Sequence, residues 1–215
     1  MEAQAWLPEL RLLGERLCFD FANTVDPRHG EHPTDLLAGY PDLVGWGKRA
    51  GALTAREAES LLGEAERHPR RAAAAFEGAR ALRERLHRVF SALAASSLPD
   101  PRDLEALERA YAAAAAHARI VPGDGGYRWS SDDDLRALDR PLWPVVRDAV
   151  DLLTTGRLDR IRECPGPDGC GWLFYDTSRN GRRRWCSMDV CGNRAKGRRH
   201  YRRHRAARSV EAPAR

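Results

Sequence analysis

Four of the five cysteines, Cys164, Cys170, Cys186 and Cys191, fall within 28 residues in the spacing C-x5-C-x15-C-x4-C. Two close pairs separated by a short insert suit a tetrahedral zinc site, each pair offering two thiolates from a tight turn. Four thiolates leave no coordination position open for water, so one Zn2+ held here is structural rather than catalytic. Disulfides are the competing use of such a cluster, and they belong to oxidising compartments. The N-terminus, MEAQAWLPEL, has two acids and no basic n-region, and no apolar run approaches the ~18–20 residues of a membrane span. The expectation is a cytoplasmic chain with no membrane partner, where thiols stay reduced and metal is the better reading. The fifth cysteine, Cys18, stands alone and reads as a small buried hydrophobe. No His sits in a context that would make it a base for Cys18. No nucleophile elbow, P-loop, dinucleotide or HExxH pattern occurs, so an enzyme is not expected.

Around the second pair, RRRWCSMDVCGNRAKGRRHYRRHR (182–205) is dominated by arginine. Residues 179–208 hold 12 Lys and Arg against one acid, Asp189, a local charge of +11; the other residues, 24 basic against 30 acidic, carry −6. A slightly acidic body with a strongly basic tail points to a polyanion partner. A helix from Asn193 places Arg194, Arg198, Tyr201, Arg202 and Arg205 on one face, with Lys196, Arg199 and Arg203 beside it. Guanidinium binds phosphate bidentately and a helix fits the DNA major groove, so this face is the candidate nucleic-acid surface. Arg179, Arg182, Arg183 and Arg184 would hold the flanking backbone. Charge does not separate DNA from RNA, for which Trp172 or Tyr175 could stack on bases. The alternatives are a solvated basic tail or one docked on the acidic body. So few apolar residues (Trp172, Phe174, Trp185, Val190) accompany this charge that the metal itself must serve as the module's core.

The elements that carry this module read as follows. TAREAESLLGEAERH (54–68) opens with a capping box, Thr54 and Glu57. In 70–97, Phe76, Ala79, Leu82, Leu86, Val89, Phe90 and Leu93 recur at helical spacing. A third helix spans 101–121 behind Pro101, and ARIVPGDGGYRWSS (118–131) contains a hairpin-like Gly-rich turn. The acids of 131–134 favour a helix start, Pro141 and Pro144 interrupt or restart that helix, and Gly156 stops it. WLFYD (172–176) and RRRWC (182–186) read as two strands joined through a type I′ turn at Asn180-Gly181. The fold class is therefore mainly α: an α-rich N-terminal domain with a small β-hairpin (1–156), a small treble-clef-like zinc module with a basic helix (157–208), and a frayed tail (209–215).

One polar cluster lies in the apolar segment LCFDFANTVD. If helical, Asp20, Asn23 and Thr24 stand at i, i+3 and i+4. They could face a small-molecule effector, with Trp46 or Arg49 alongside, or form a satisfied structural network or helix cap.

WLFYDTSRNGRRRWCSMDVCGNRAKGRRHYRRH closely resembles the CGNR-type zinc finger, whose motif stands here at Cys191-Gly192-Asn193-Arg194. LCFDFANTVDPR (17–28), followed by DLLAGYPDLVGWGKRAGALT (35–54), resembles the start of the ABATE domain that usually precedes that finger. The resemblance implies a stress-related bacterial transcription regulator, with DNA as partner and a body that senses a small molecule or forms a homodimer. One departure is the five residues inside the first pair, CPGPDGC, where four are expected. An RNA- or ribosome-associated factor is the alternative, and an enzyme with a structural finger a third.

Overall fold

The computed structural model describes residues 11–131 and 135–210, with side chains as far as Arg202. The body runs α1 (Leu17–Ala22), β1 (Val25–Asp26), β2 (Thr34–Asp35), α2 (Tyr40–Arg49), α3 (Ala55–Arg67), α4 (Pro69–Ala94), α5 (Pro101–Ala116), β3 (Ala118–Gly123), β4 (Gly126–Ser131) and α6 (Trp143–Thr155). Then follow β5 (Ile161–Glu163), β6 (Leu173–Tyr175) and the basic helix α7 (Asn193–Val210). No described helix is long and apolar enough to cross a membrane.

Local chemistry accounts for most of the boundaries. Thr54 and Glu57 form the reciprocal capping box at α3, the Thr54 side chain accepting from the Glu57 N–H and Glu57 accepting from the Thr54 N–H at 2.7 Å. In α4, Pro69 occupies the first turn, where a missing N–H costs nothing, and Phe76, Ala79, Leu82, Leu86, Val89 and Phe90 line the buried stripe. Asp100 caps α5 through the Arg102 N–H. That helix stops at Ala116 rather than at residue 121, because 118–121 is claimed by strand pairing, with Ile120 opposite Trp129 and Pro122 opposite Tyr127. Those four residues share one face of the two-stranded ribbon, and Ile120, Tyr127 and Trp129 are exposed. The acids Asp132, Asp133 and Asp134 lie outside the described residues. Past a short 3-10 turn at Arg140–Leu142, α6 begins with Pro144 in its first turn. Gly156 caps its end in an extended conformation.

The main core gathers Phe19, Phe21, Leu43, Trp46, Leu61, Leu86, Phe90, Trp143, Val146 and Leu152 from α1, α2, α3, α4 and α6. Inside it, α4 carries a buried cation, Arg83, which grips Asp35 with two bonds of 2.7 Å and donates to the Thr24 hydroxyl at 3.2 Å. A guanidinium is tolerated in such a place only when paired and hydrogen-bonded, and this pair ties the β1–β2 ribbon to the long helix. Composition changes sharply after Gly156, yet packing runs straight across. Ile161 of β5 and Leu173 of β6 are fully buried members of the body's own core.

Candidate metal centre and basic helix

The first cysteine pair is presented by a hairpin. β5 pairs antiparallel with β6, Ile161 opposite Tyr175 and Glu163 opposite Leu173, and the connecting loop carries Cys164 and Cys170 at its mouth. The Cys164 N–H donates to the Trp172 carbonyl at 2.9 Å, and the Gly171 N–H to the Cys164 carbonyl at 3.1 Å. This loop is stitched to the body, because the N–H groups of Arg28 and His29 donate to the carbonyls of Cys170 and Gly169, both at 2.8 Å. The fit requires glycine: Gly169 has φ +72°, and a Cβ there would stand 2.5 Å from the His29 carbonyl carbon.

The pairing of 172–176 with 182–186 expected from sequence is not what forms. Its reason is Asp176, which is 1% exposed. Its carboxylate accepts from the Ser178 N–H at 2.9 Å and from the Arg183 N–H at 3.0 Å, winding the chain into a loop. The Gly181 N–H donates to the Ser178 carbonyl, and of Asn180 and Gly181 only Gly181 has positive φ, so the turn is not type I′. With its strand partner taken by β5, the segment 182–186 has no ladder to join.

Cys186 and Cys191 complete the cluster. Cys191 lies in a wide π-type turn, Met188–Gly192, entered through Ser187, whose hydroxyl accepts the Val190 N–H, and this turn runs directly into α7. The Sγ of Cys186 is 3.7 Å from that of Cys170 and 3.6 Å from that of Cys191, and all four sulfurs lie within 4.8 Å of one another. A zinc tetrahedron with Zn–S bonds of ~2.3 Å has S–S edges of about 3.8 Å, so the four thiols already stand near its corners. All are buried and none is bonded to another. Thiol hydrogen bonds from Cys170 and Cys186 hold Cys164 far below the usual thiol range, while proximity to Cys164 pushes Cys170 and Cys186 upward. Thiolates this crowded need a dication between them, and the residues fit one structural zinc.

The basic side chains divide. Arg182, Arg184, Arg194, Lys196, Arg198, Arg199 and Arg202 are exposed. Arg183 is not placed to meet a phosphate: its guanidinium lies 4.8 Å over the Phe174 ring, pairs with Glu15 at 3.1 Å and donates to the carbonyls of Trp185 and Cys186. It locks the loop around the metal. Arg184 stacks over Trp185 at 4.9 Å, and Arg198 is paired with Asp168 of the first loop. The Arg203 and Arg205 side chains lie outside the described residues, as do residues 211–215 of the expected tail. Trp172 is buried and donates to the Val25 carbonyl at 3.0 Å, so it is no stacking platform. Trp185 and Tyr201 instead line an open groove of about 540 Å³ beside Arg198 and Arg202. From sequence Trp185 reads only as one of the module's few apolar residues; its place between Arg184 and a metal ligand is the signal that it lies on this surface.

The polar cluster of the body is built inward. Asn23 follows the last turn of α1, and its amide donates to the Leu173 carbonyl and accepts from the Leu173 N–H, both at 2.9 Å. Thr24 donates to the Phe21 carbonyl at 2.8 Å and accepts from Arg83. Trp46 is wholly buried against Phe21, ring centroids 5.0 Å apart. Asn23 and Thr24 thus serve the fold.

Asp20 caps the Gly14 N–H at 2.8 Å, and burial raises its pKa to about 6. A carboxyl raised in this way contributes stability that is complete below its unfolded value near 4 and lost as pH climbs through 6. Asp20→Asn, which keeps the acceptor oxygen, is expected to be more stable than the parent at pH 8 by up to about 3 kcal/mol, a gap closing toward zero at pH 4. Denaturant unfolding at the two pH values measures it; equal stability at pH 8 would mean that the carboxylate is solvated.

The CGNR zinc finger family model matches residues 160–204, which contain all four cysteines and the first turns of α7. No curated protein matches the chain. Residues 15–156, the helical body with its two ribbons, match the ABATE family, described as a "putative stress-induced transcription regulator", and the chain belongs to that family.

Proposed function

We propose that this protein is a transcription regulator that binds duplex DNA through α7, and that it works by binding rather than catalysis. The observation that carries the reading is the rooting of the charge: a helix whose exposed surface bears Arg194, Lys196, Arg198, Arg199 and Arg202 starts two residues after Cys191 of the thiol cluster. Because the metal module shares the body's core, the body fixes the direction in which that helix points. A small-molecule signal would reach it most directly through the cleft of about 670 Å³ where Asp26 of the body, Trp172, Cys191 and Arg194 of the finger meet. Pairing of two copies, which two-fold operators require, is assigned to the apolar ribbon face of Ile120, Tyr127 and Trp129, too large an exposed aromatic group to be idle.

The test is binding to DNA selected from a random pool, with an RNA pool in parallel. Four to six phosphate contacts give a log–log salt slope of roughly −4 to −5 on duplex. Arg202→Ala should cost about 1–3 kcal/mol and relax preference at particular bases, whereas Arg182→Ala should weaken all sequences alike and flatten the slope by about one. Arg198 first gives up Asp168, an exposed pair worth at most about 1 kcal/mol. Sedimentation of the complex should find two chains per site. Enrichment from the RNA pool alone, or binding insensitive to salt, would sink the DNA reading; Trp185 and Tyr201 beside the arginine groove favour RNA as second choice.

A further inference from the structure

Outside the thiol cluster, three donors from distant parts of the sequence meet at the seam between body and finger. His29 comes from the loop after β1, His87 from α4, and Glu163 from the last position of β5. One ligand atom of each lies within 4.8 Å of the other two. Nε2 of His29 is 2.7 Å from a Glu163 carboxylate oxygen, and the two imidazoles stand edge to face with centroids 5.7 Å apart. Gly171 marks where the rings converge. Its carbonyl lies 3.1 Å from Nε2 of His87, and a Cβ built on it would be 2.8 Å from Nε2 of His29. Nδ1 of His87 faces Ser91 Oγ at 3.4 Å, which leaves Nε2 as the nitrogen turned toward the seam.

We propose that His29, His87 and Glu163 form a second metal site, selective for a borderline divalent transition ion such as Zn2+, Co2+ or Ni2+, that clamps the helical body to the finger. Two imidazoles and one carboxylate are the donor set of such ions and a poor one for Ca2+ or Mg2+, which require mostly oxygen. His87 is buried, and its ring is fixed between the Gly171 carbonyl and Ser91 Oγ. The nearby Arg28 is itself paired with Glu84 at 2.5 Å. When Nε2 of His87 takes the ion it gives up its bond to the Gly171 carbonyl; its ring proton then sits on Nδ1 and is donated to Ser91 Oγ, the orienting bond that metal-bound imidazoles usually have. With three protein ligands the site keeps an open position, unlike the closed thiolate cluster a few residues away. An ion here would join α4 and the His29 loop to β5, so that its arrival stiffens the joint on which α7 depends.

The experiment uses the full chain carrying its one zinc. Calorimetric titration with Co2+ should find one further equivalent with a micromolar dissociation constant. Its spectrum should lack the thiolate charge-transfer bands that cobalt shows in a four-cysteine site, which separates the two centres. Thermal unfolding should shift upward with the added ion, because it binds the folded state. His29→Ala and Glu163→Gln, at side chains 54% and 28% exposed, should each abolish that equivalent and the thermal shift while retaining the first zinc and the parent's circular dichroism. Should either variant misfold, His29→Gln is the substitute, since the His29 backbone rather than its ring holds the loop. The proposal is overturned if the parent takes up no second equivalent below millimolar cobalt, or if folded variants bind it as the parent does. Neither result depends on whether α7 binds DNA.

Discussion

Cys186→Ser is expected to lose its zinc and to destabilise far more than the finger. Apparent binding energies of structural zinc run to about 10–16 kcal/mol, comparable with the entire stability of an ordinary domain. From sequence alone the finger looks separable, and the body would be expected to keep its helices once the metal is gone. The packing argues otherwise. Ile161 and Leu173, which flank the first cysteine pair, sit in the same core as Phe19, Leu86 and Phe90. The loop bearing Cys170 is hydrogen-bonded to Arg28 and His29, and Trp172 reaches the Val25 carbonyl. Freeing the thiols releases that loop, strips β6 from α1 and opens the core at Ile161 and Leu173. Metal analysis should find most of the zinc gone, and thermal unfolding followed by circular dichroism should show one cooperative transition at much lower temperature. A chelator acting on the parent should do the same. Zinc retained in the variant would overturn the ligand assignment; zinc lost with an unchanged melting temperature would overturn the coupling.

Much of this centre is legible in the sequence because metal ligands are named by residue type and spacing. Helix starts are equally local: Thr54 with Glu57, Asp100 before Pro101 and the periodic apolar residues of α4 all act within a few positions. What sequence does not reveal is decided at long range. Asp176 competes with strand pairing through two backbone bonds, and β5, only three residues long, takes β6 as its partner. Arg183 reads as one more phosphate contact until Glu15, from the other end of the chain, and Phe174 are found around it. His29, His87 and Glu163 carry no motif at all, since their spacings of 58 and 76 residues are set by how α4 crosses the seam. Arginine is the hardest residue to assign from sequence, because the same fork that binds phosphate also satisfies carbonyls and carboxylates inside a protein.

Asn23 distinguishes the two readings of the polar cluster most sharply. Had its amide faced an effector, Asn23→Ala would leave folding nearly intact and abolish a ligand response. The amide is instead spent on Leu173, donating to its carbonyl and accepting its N–H at 2.9 Å each, in a place where Asn23 is 3% exposed. It acts as a single-residue strand, closing the edge of β6 that β5 leaves open. Truncation to alanine leaves one backbone donor and one acceptor buried without partners, and each such group costs roughly 1–3 kcal/mol. The expected loss is about 3 kcal/mol or more, and the melting temperature should fall by roughly 6–12 °C for a chain of this size. Asn23→Asp should also be damaging: it can accept the Leu173 N–H, but it sets a carboxylate against the Leu173 carbonyl in a dry interior. Because Leu173, the first residue of β6, stands three positions after Cys170, the alanine variant should also give up zinc to a chelator faster than the parent. Thermal unfolding and the rate of zinc transfer are the two measurements. A loss below 1 kcal/mol with parent-like zinc transfer would mean that water or a neighbouring group replaces the amide, and Asn23 would return to the list of residues available to a ligand.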